Sequence, residues 1–137
     1  MELTVGIDLV AVSDVEASID AHAARYLQRI YTAQELSDCQ RADGAPDATR
    51  LAARFAAKEA TLKALQVGDE PVPWHSIAVT RGRHGAPALE LSGAAAALAQ
   101  RRGVQTLALS LTHEGQFAAA IVVAQSGGGD DLAITAE

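Results

Sequence analysis

The chain opens with an alternation of apolar and other residues that is typical of a β-strand. Residues 3–10 read L-T-V-G-I-D-L-V, with Val5, Ile7 and Leu9 on one face and Gly6, Asp8 and Val10 on the other. β-Branched and apolar side chains with a period of two predict a buried strand. One carboxylate, that of Asp8, interrupts this strand.

Four later segments also have strand-like patterns, at residues 76–81, 88–92, 104–112 and 117–125. The first two flank a turn that contains Gly82, Gly85 and Pro87, which predicts a β-hairpin. The last two flank the tight connection 113–116. We expect strands joined by such short connections to pair antiparallel.

Capping residues predict four helices between these strands. The caps are Ser13, Thr32, Asp47 and Ser92, followed by helices over 14–24, from 33 toward Cys39, over 48–65 and over 93–102. Glu16 and Glu35 complete capping boxes at the first two. The helix over 48–65 contains no glycine or proline and is the longest.

Together these elements predict an α+β fold, in which an antiparallel sheet packs against a long central helix. At 137 residues the chain fits one domain, which we place at residues 1–125. Alanine, leucine and valine should build its core, because only five residues are aromatic. Residues 126–137 include three consecutive glycines and are predicted to be a flexible tail.

The long helix carries charges where its apolar stripe should run. On a helical wheel, Leu51, Phe55, Leu62 and Leu65 define the stripe; Lys58 falls inside it and Glu59 on its shoulder. An isolated buried ion costs several kcal/mol, so both charges need partners or water. In the simplest interpretation Lys58 extends its ammonium to solvent, Glu59 pairs with Lys63, and Arg54 points outward.

Asp8 needs a cation as well, because it lies among apolar residues. Two carboxylates in apolar surroundings, Asp8 and Glu59, suit Mg²⁺, which prefers one or two carboxylates, waters and phosphate oxygens. Lys58, Lys63 and Arg54 would then lie near bound phosphates. The alternative is an ion pair between Asp8 and Lys58, and sequence spacing does not separate the two.

Composition excludes several classes of function. Seventeen acidic and eleven basic residues give a net charge of −6, which argues against nucleic-acid binding. The single cysteine, Cys39, excludes an internal disulfide and a multi-cysteine metal site. The sequence has no apolar run of membrane-spanning length and no signal-peptide pattern after Met1. These features predict a cytoplasmic protein without a membrane partner.

Six segments of the sequence resemble a known family. They are GIDLV at 6–10, RIYTAQEL at 29–36, RLAARFAAKEATLKAL at 50–65, PWHSIAV at 73–79, GAPALELSG at 85–93 and SLTHEGQFAAAIVV at 110–123. The combination resembles the short bacterial holo-[acyl-carrier-protein] synthases, the small class of 4′-phosphopantetheinyl transferases. The likeness spans about residues 3–124.

This resemblance implies an enzyme of fatty acid and lipid biosynthesis that transfers phosphopantetheine from coenzyme A to a carrier-protein serine, releasing 3′,5′-ADP. It implies Asp8 and Glu59 as ligands of Mg²⁺ (Mn²⁺ is possible) and Lys63 as the contact to the diphosphate. It places His113 near the 3′-phosphate, with Arg54 and Lys58 as further coenzyme A contacts. It also implies a homotrimer with active sites between subunits.

Attack of the serine hydroxyl on phosphorus requires charge neutralisation, in-line positioning and a base. Either Glu59 or a water on the metal is a candidate base, and the sequence does not rank them. Trp74 is predicted to pack a loop against the domain, and His22, His75 and His84 to lie at the surface.

Two positions depart from the family pattern. Asp14 stands on the first helix where relatives commonly carry arginine, which leaves Arg25 and Arg29 as nearby cations and suggests a less acidic carrier domain, such as one in a polyketide or peptide synthase. Gln66 follows the long helix where many relatives have glycine, which predicts a stiffer loop and weaker coenzyme A binding.

Two alternative functions stay open. One is a catalytically weak trimeric scaffold that binds coenzyme A or carrier protein, and the other is a Mg²⁺-dependent phosphohydrolase.

Overall fold

The computed structural model describes residues 1–127. Its strands are β1 (Glu2–Ala11), β2 (Ile77–Arg81), β3 (Pro87–Leu91), β4 (Val104–Glu114) and β5 (Phe117–Ser126). Its α-helices are α1 (Val12–His22), α2 (Ala24–Ile30), α3 (Ala33–Asp38), α4 (Ala48–Ala64) and α5 (Gly93–Arg101). Apart from Ser126, which ends β5, and Gly127, the predicted tail lies outside the described residues.

Two antiparallel sheets form the β part of the fold. The larger has three strands in the order β1-β5-β4, and Ile7 of β1 and Ser110 of β4 both lie opposite Ile121 of β5. The smaller is the predicted hairpin of β2 and β3, with Ile77 opposite Leu91. Helix α4 lies across one face of the larger sheet, so the α+β prediction is confirmed.

Small residues allow α4 to approach the sheet closely. A Cβ atom added to Gly6 would overlap the carbonyl oxygen of Ala60, so only glycine fits at this point of β1. The Thr4 hydroxyl donates to the Ala64 carbonyl at 2.6 Å and joins the same two elements. Ala56, Ala60 and other alanines of α4 are fully buried, whereas Phe55 and Leu62 are only partly buried. The predicted leucine and phenylalanine stripe is therefore only part of the buried surface of α4.

The first helix differs from the prediction. It begins at Val12 rather than after Ser13, and its N-terminus has no side-chain cap. It ends at His22 because Ala23 adopts a φ of 44°, and a second helix, α2, follows directly. Ala23 carries no turn signature in the sequence, and the sequence pattern did not predict α2.

The starts of the other three predicted helices agree with the sequence. The Thr32 hydroxyl accepts from Glu35 N at 3.1 Å and the Glu35 carboxylate accepts from Thr32 N at 2.8 Å, which confirms the capping box. The Asp47 carboxylate accepts from Arg50 N at 3.2 Å at the start of α4. Helix α5 begins after Ser92 as predicted, although the Ser92 side chain makes no capping hydrogen bond.

The apolar face of β1 is exposed, contrary to the prediction of a buried strand. Val5, Ile7 and Leu9 are 58, 62 and 65% exposed, because α4 covers the opposite face that carries Gly6, Asp8 and Val10. Phe117 and Ile121 of β5 are exposed as well. We call the surface formed by Leu3, Val5, Ile7, Leu9, Phe117 and Ile121 the apolar sheet face. Within residues 1–127, no helix combines the length and the hydropathy that crossing a membrane would require.

Candidate active site

A cavity of about 610 Å³ lies where β1, α1, α2 and α4 meet. Asp8 and Glu59 both line it, together with the aromatic rings of Phe55 and Trp74. Asp8 reaches the cavity because β1 turns its Gly6, Asp8 and Val10 face toward α4. Glu59 reaches it from α4, one helical turn after Phe55. The structure thus brings the two predicted carboxylates to one cavity.

Lys63 is the cation beside Asp8. Its ammonium lies 3.3 Å from Asp8 Oδ1 and donates to the Ile7 carbonyl at 2.8 Å. The Asp8 side chain is only 16% exposed, whereas that of Lys63 is 55% exposed. The alternative ion pair between Asp8 and Lys58 is therefore wrong. Because the Lys63 ammonium is largely exposed, it remains accessible to an anionic ligand.

The environment of Glu59 disfavours its negative charge. Burial raises the pKa of this carboxyl, the nearby charge of Asp8 raises it further, and Lys63 opposes both effects. Two carboxylates that repel each other at one cavity wall match the ligands of Mg²⁺, which takes its remaining oxygens from water and phosphate. No cluster of three or more metal-ligating side chains occurs in residues 1–127. The residues present thus fit a hard cation held by two carboxylates.

Lys58 occupies a different environment from the one predicted. Its ammonium is completely buried, lies 2.8 Å from Glu35 Oε1, and donates to the carbonyls of Ile77 at 2.6 Å and Trp74 at 3.2 Å. Burial lowers the pKa of Lys58, and the Glu35 carboxylate opposes that shift. Lys58 therefore neither extends to solvent nor lines the cavity, in contrast to the expected position near phosphates.

Arg54 and His113 also lie outside the cavity within one chain. Arg54 Nε is buried and has no hydrogen-bond partner among the described residues. Arg54 lies near Cys39, where burial raises the pKa of the thiol to about 11 and the arginine opposes the shift. His113 is exposed near the end of β4, opposite Ala118. Of the six predicted site residues, one chain brings together only Asp8, Glu59 and Lys63.

Sequence reasoning named Asp14, Arg25 and Arg29 as a surface for the carrier protein, but did not place them in the wall of the cavity formed by α1 and α2. Asp14 and His22 of α1 and Arg25 and Arg29 of α2 line it. The hydroxyls of Tyr26 and Tyr31 lie 2.8 Å apart, and Tyr31 donates to the Leu51 carbonyl of α4 at 3.2 Å. This chain of hydrogen bonds holds α2 against α4. The family segment that begins at Arg29 was a sequence signal for this region, but the pattern did not predict the separate helix α2.

Comparison with known proteins places this chain in a family. A model described as "4′-phosphopantetheinyl transferase superfamily" matches residues 4–122. The holo-[acyl-carrier-protein] synthase of Desulforudis audaxviator is 40% identical over 90% of this chain and 93% of its own. The enzyme of that name from Anaeromyxobacter dehalogenans is 44% identical over 93% and 99%.

A solved structure supports the same placement. The Helicobacter pylori holo-[acyl-carrier-protein] synthase in complex with coenzyme A superposes with a TM-score of 0.76 at 29% identity, over 88% of this chain and 99% of its own. The predicted fold is thereby confirmed at the level of the family. The chain belongs to the 4′-phosphopantetheinyl transferase superfamily, among the holo-[acyl-carrier-protein] synthases.

Proposed function

We propose that the chain transfers the 4′-phosphopantetheine group of coenzyme A to a serine of an acyl carrier protein and releases 3′,5′-ADP. The observation that carries this function is the convergence of Asp8 and Glu59 on one cavity, with Lys63 beside Asp8. The names of the relatives and the coenzyme A complex of the Helicobacter pylori enzyme support the substrates. An acyl carrier protein and coenzyme A are therefore its partners.

In the reaction, the serine oxygen forms a bond to the β-phosphorus of coenzyme A, and the bond from that phosphorus to the leaving 3′,5′-ADP breaks. The exposed Lys63 ammonium binds the diphosphate. In this proposal the Glu59 carboxylate, which lines the cavity, accepts the serine proton. Arg25 and Arg29 supply positive charge along the cavity wall.

Asp8 and Glu59 hold Mg²⁺ in this proposal, and Mn²⁺ satisfies the same oxygen ligands. Held by these two carboxylates, the ion would supply positive charge against the diphosphate. We expect Mg²⁺ to raise the Tm of the wild-type chain, because a ligand that binds only the folded state stabilises it. Glu59→Gln should abolish that rise, measured by thermal unfolding with EDTA and with added Mg²⁺. An equal rise in both chains would contradict the assignment.

The active unit is a homotrimer with its sites between subunits. Six large apolar side chains lie exposed on the apolar sheet face, and such a patch is typical of a protein interface. Within one chain, His113 and Arg54 lie away from the cavity. In the trimer, these residues of one subunit contact the coenzyme A molecule that binds in the cavity of its neighbour. We assign His113 to the 3′-phosphate and Arg54, with its unpartnered Nε, to a further anionic group of the substrate.

The acceptor surface includes α1, where Asp14 lines the cavity together with Arg25 and Arg29 of α2. Asp14 lowers the positive charge that meets the carrier, so the carrier domain should be less acidic in its docking region. Asp14→Arg should then lower the KM for an acidic carrier protein, and an unchanged KM would contradict this part of the proposal. We place the enzyme in the cytoplasm and in fatty acid biosynthesis, consistent with its single, buried cysteine.

Transfer is tested by incubating the chain with coenzyme A, Mg²⁺ and a panel of apo carrier proteins, and weighing the carriers by mass spectrometry. We expect a mass gain of one phosphopantetheine group. Phosphate release without transfer would indicate a phosphohydrolase, and binding without either reaction would indicate a scaffold.

The site is tested by Glu59→Gln and Asp8→Asn, which should reduce transfer by at least about a hundredfold while the chain stays folded. Glu90→Gln is the matched control, because Glu90 is an exposed carboxylate on β3 outside the cavity. Normal turnover in either site variant would contradict the assignment.

A further inference from the structure

Lys58 and Glu35 form a buried ion pair that the transfer reaction does not use. The Lys58 ammonium and the Glu35 carboxylate lie 2.8 Å apart, and their side chains are 0 and 1% exposed. Glu35 also accepts from Thr32 N at 2.8 Å and from Val79 N at 2.7 Å. The carboxylate therefore connects the start of α3 with strand β2, and its position is fixed by backbone groups. Lys58 is the one member of this network on α4.

Lys58 reaches from this pair to the turn that carries Trp74. Its ammonium donates to the Trp74 carbonyl at 3.2 Å and to the Ile77 carbonyl at 2.6 Å. These carbonyls bracket the single helical turn Trp74–Ser76, which follows a segment without regular structure between α4 and Trp74. The turn is thus held from its buried side by a side chain of α4.

Trp74 contacts α4 a second time, through its ring. The indole and the Phe55 ring have centroids 5.3 Å apart at an interplanar angle of 50°, and both line the cavity that contains Asp8 and Glu59. Phe55 lies three residues before Lys58, so one turn of α4 holds the backbone and the ring of Trp74. The sequence contains no other tryptophan.

We infer that Lys58 and Glu35 are positioning residues, which hold the Trp74 ring as a wall of the substrate cavity, and that Lys58 acts through Trp74 and not by contact with phosphate. The Lys58 ammonium is completely buried. It donates to the Glu35 carboxylate and to two backbone carbonyls, and none of its hydrogen bonds is directed to the cavity. This role rests on the proposed function as far as the activity measurement is concerned, because that measurement requires transfer. The fluorescence measurement does not depend on the proposed function.

The test uses the intrinsic fluorescence of Trp74 in the free, full-length chain. Lys58→Met alone leaves the Glu35 carboxylate buried without a counter-charge, which can unfold the chain. The double variant Glu35→Gln/Lys58→Met removes both charges and is the working variant, with folding checked by circular dichroism. We expect its emission to move to longer wavelength and its quenching by acrylamide to increase, because a released indole becomes more exposed.

Lys63→Met is the matched control. It makes the same chemical change on the same helix, beside the substrate, and should leave Trp74 fluorescence unchanged while transfer falls. Unchanged emission and quenching in folded Glu35→Gln/Lys58→Met would overturn the inference.

Activity supplies a second, independent measurement. In Glu35→Gln/Lys58→Met, kcat/KM for transfer should fall by about tenfold to a hundredfold, as expected for a misplaced cavity wall. When Trp74→Leu is already present, the same pair of changes should cost less than about threefold more, since residues that act through one another are not additive. Fully additive losses would overturn the inference. If the wild-type chain shows no transfer, the proposed function fails, and the fluorescence result alone decides the role of Lys58.

Discussion

Glu59 illustrates how a residue of the proposed site can oppose folding. Its pKa is raised first by burial and then by the charge of Asp8, so the folded chain holds the Glu59 proton more tightly than the unfolded chain does. As pH rises above the ordinary glutamate pKa, the unfolded chain loses this proton first. The ionised carboxylate therefore destabilises the metal-free fold at neutral pH, and this cost is absent in acid.

Glu59→Gln should consequently raise the free energy of unfolding of the metal-free chain at pH 7, by no more than about 1 kcal/mol, since solvent screens a partly exposed group. The gain should disappear as pH falls below about 4.3, the ordinary pKa of glutamate. Urea unfolding in EDTA at both pH values measures it. Glu90→Gln controls for the loss of one surface carboxylate, and the same pH dependence in both variants would contradict the prediction.

At Gln66 the backbone conformation affects the stability of the fold. This residue follows α4 at a φ of 56°, the left-handed region that favours glycine, and its carbonyl accepts from Arg102 Nη2 at 3.1 Å. The resemblance led us to expect glycine after this helix, and glycine would adopt this positive φ without strain.

Gln66→Gly should raise the free energy of unfolding by about 0.5 to 1 kcal/mol, the left-handed strain of a side chain less the chain entropy of glycine. Chemical denaturation measures the change. Asp69→Gly, three residues later and exposed, lacks a positive φ and should be neutral or destabilising. A loss of stability in Gln66→Gly would show that the glutamine is not strained.

At the scale of elements, the contact of β1 with α4 aligns the site. Asp8 lies on the strand and Glu59 on the helix, so their proximity depends on how closely the two elements pack. Gly6 and Ala60 set that distance, because no Cβ fits between them. The spacing of the two carboxylates is therefore a consequence of small residues that carry no chemistry themselves.

Gly6→Ala should lower the free energy of unfolding by about 1 to 3 kcal/mol, because the new methyl meets backbone that cannot rotate away. It should also reduce transfer in the fraction that folds, since it separates Asp8 from Glu59. Denaturation and the mass assay measure the two effects. Gly68→Ala is the control: the nearest atom there ends the flexible Glu70 side chain, 3.3 Å away, and its effect should stay within about 0.5 kcal/mol.

At the scale of the whole molecule, the apolar sheet face is the proposed surface of subunit contact. Ile7 and Ile121 lie opposite each other on neighbouring strands, and both are exposed in the single chain. Burying such side chains against further copies removes their apolar surface from water. In the proposed trimer, the interface and the active site would share strand β1, which carries Ile7 on its exposed face and Asp8 on the face toward α4.

Ile7→Lys should convert the assembly to folded monomers and reduce transfer by at least about tenfold, because it places a charge in an apolar interface. Light scattering after size exclusion measures the mass, and the carrier assay measures the activity. Glu90→Lys changes an exposed strand residue outside this face and should leave both unchanged. Wild-type chains that run as monomers, or Ile7→Lys chains that stay associated, would contradict the proposed trimer.

The sequence by itself determined the elements whose signals are local. The Thr32 and Asp47 caps, the long helix and the hairpin depend on neighbours within a few residues, and each appears as predicted. Asp8 and Glu59 were identifiable because a carboxylate among apolar residues is costly wherever it lies. The break at Ala23 was not, since an alanine with positive φ has no sequence signature.

Tertiary structure alone decided which acidic side chain pairs with which lysine. Lys58 and Lys63 lie on the same helix, yet one is buried against Glu35 and the other reaches Asp8 at the rim of the site. It also decided that α4 covers the Asp8 face of β1 and leaves Ile7 exposed, because packing selects the face that Gly6 opens to close approach. Local patterns fix backbone conformation, whereas ion pairing and burial depend on residues that are distant in sequence and meet only in the fold.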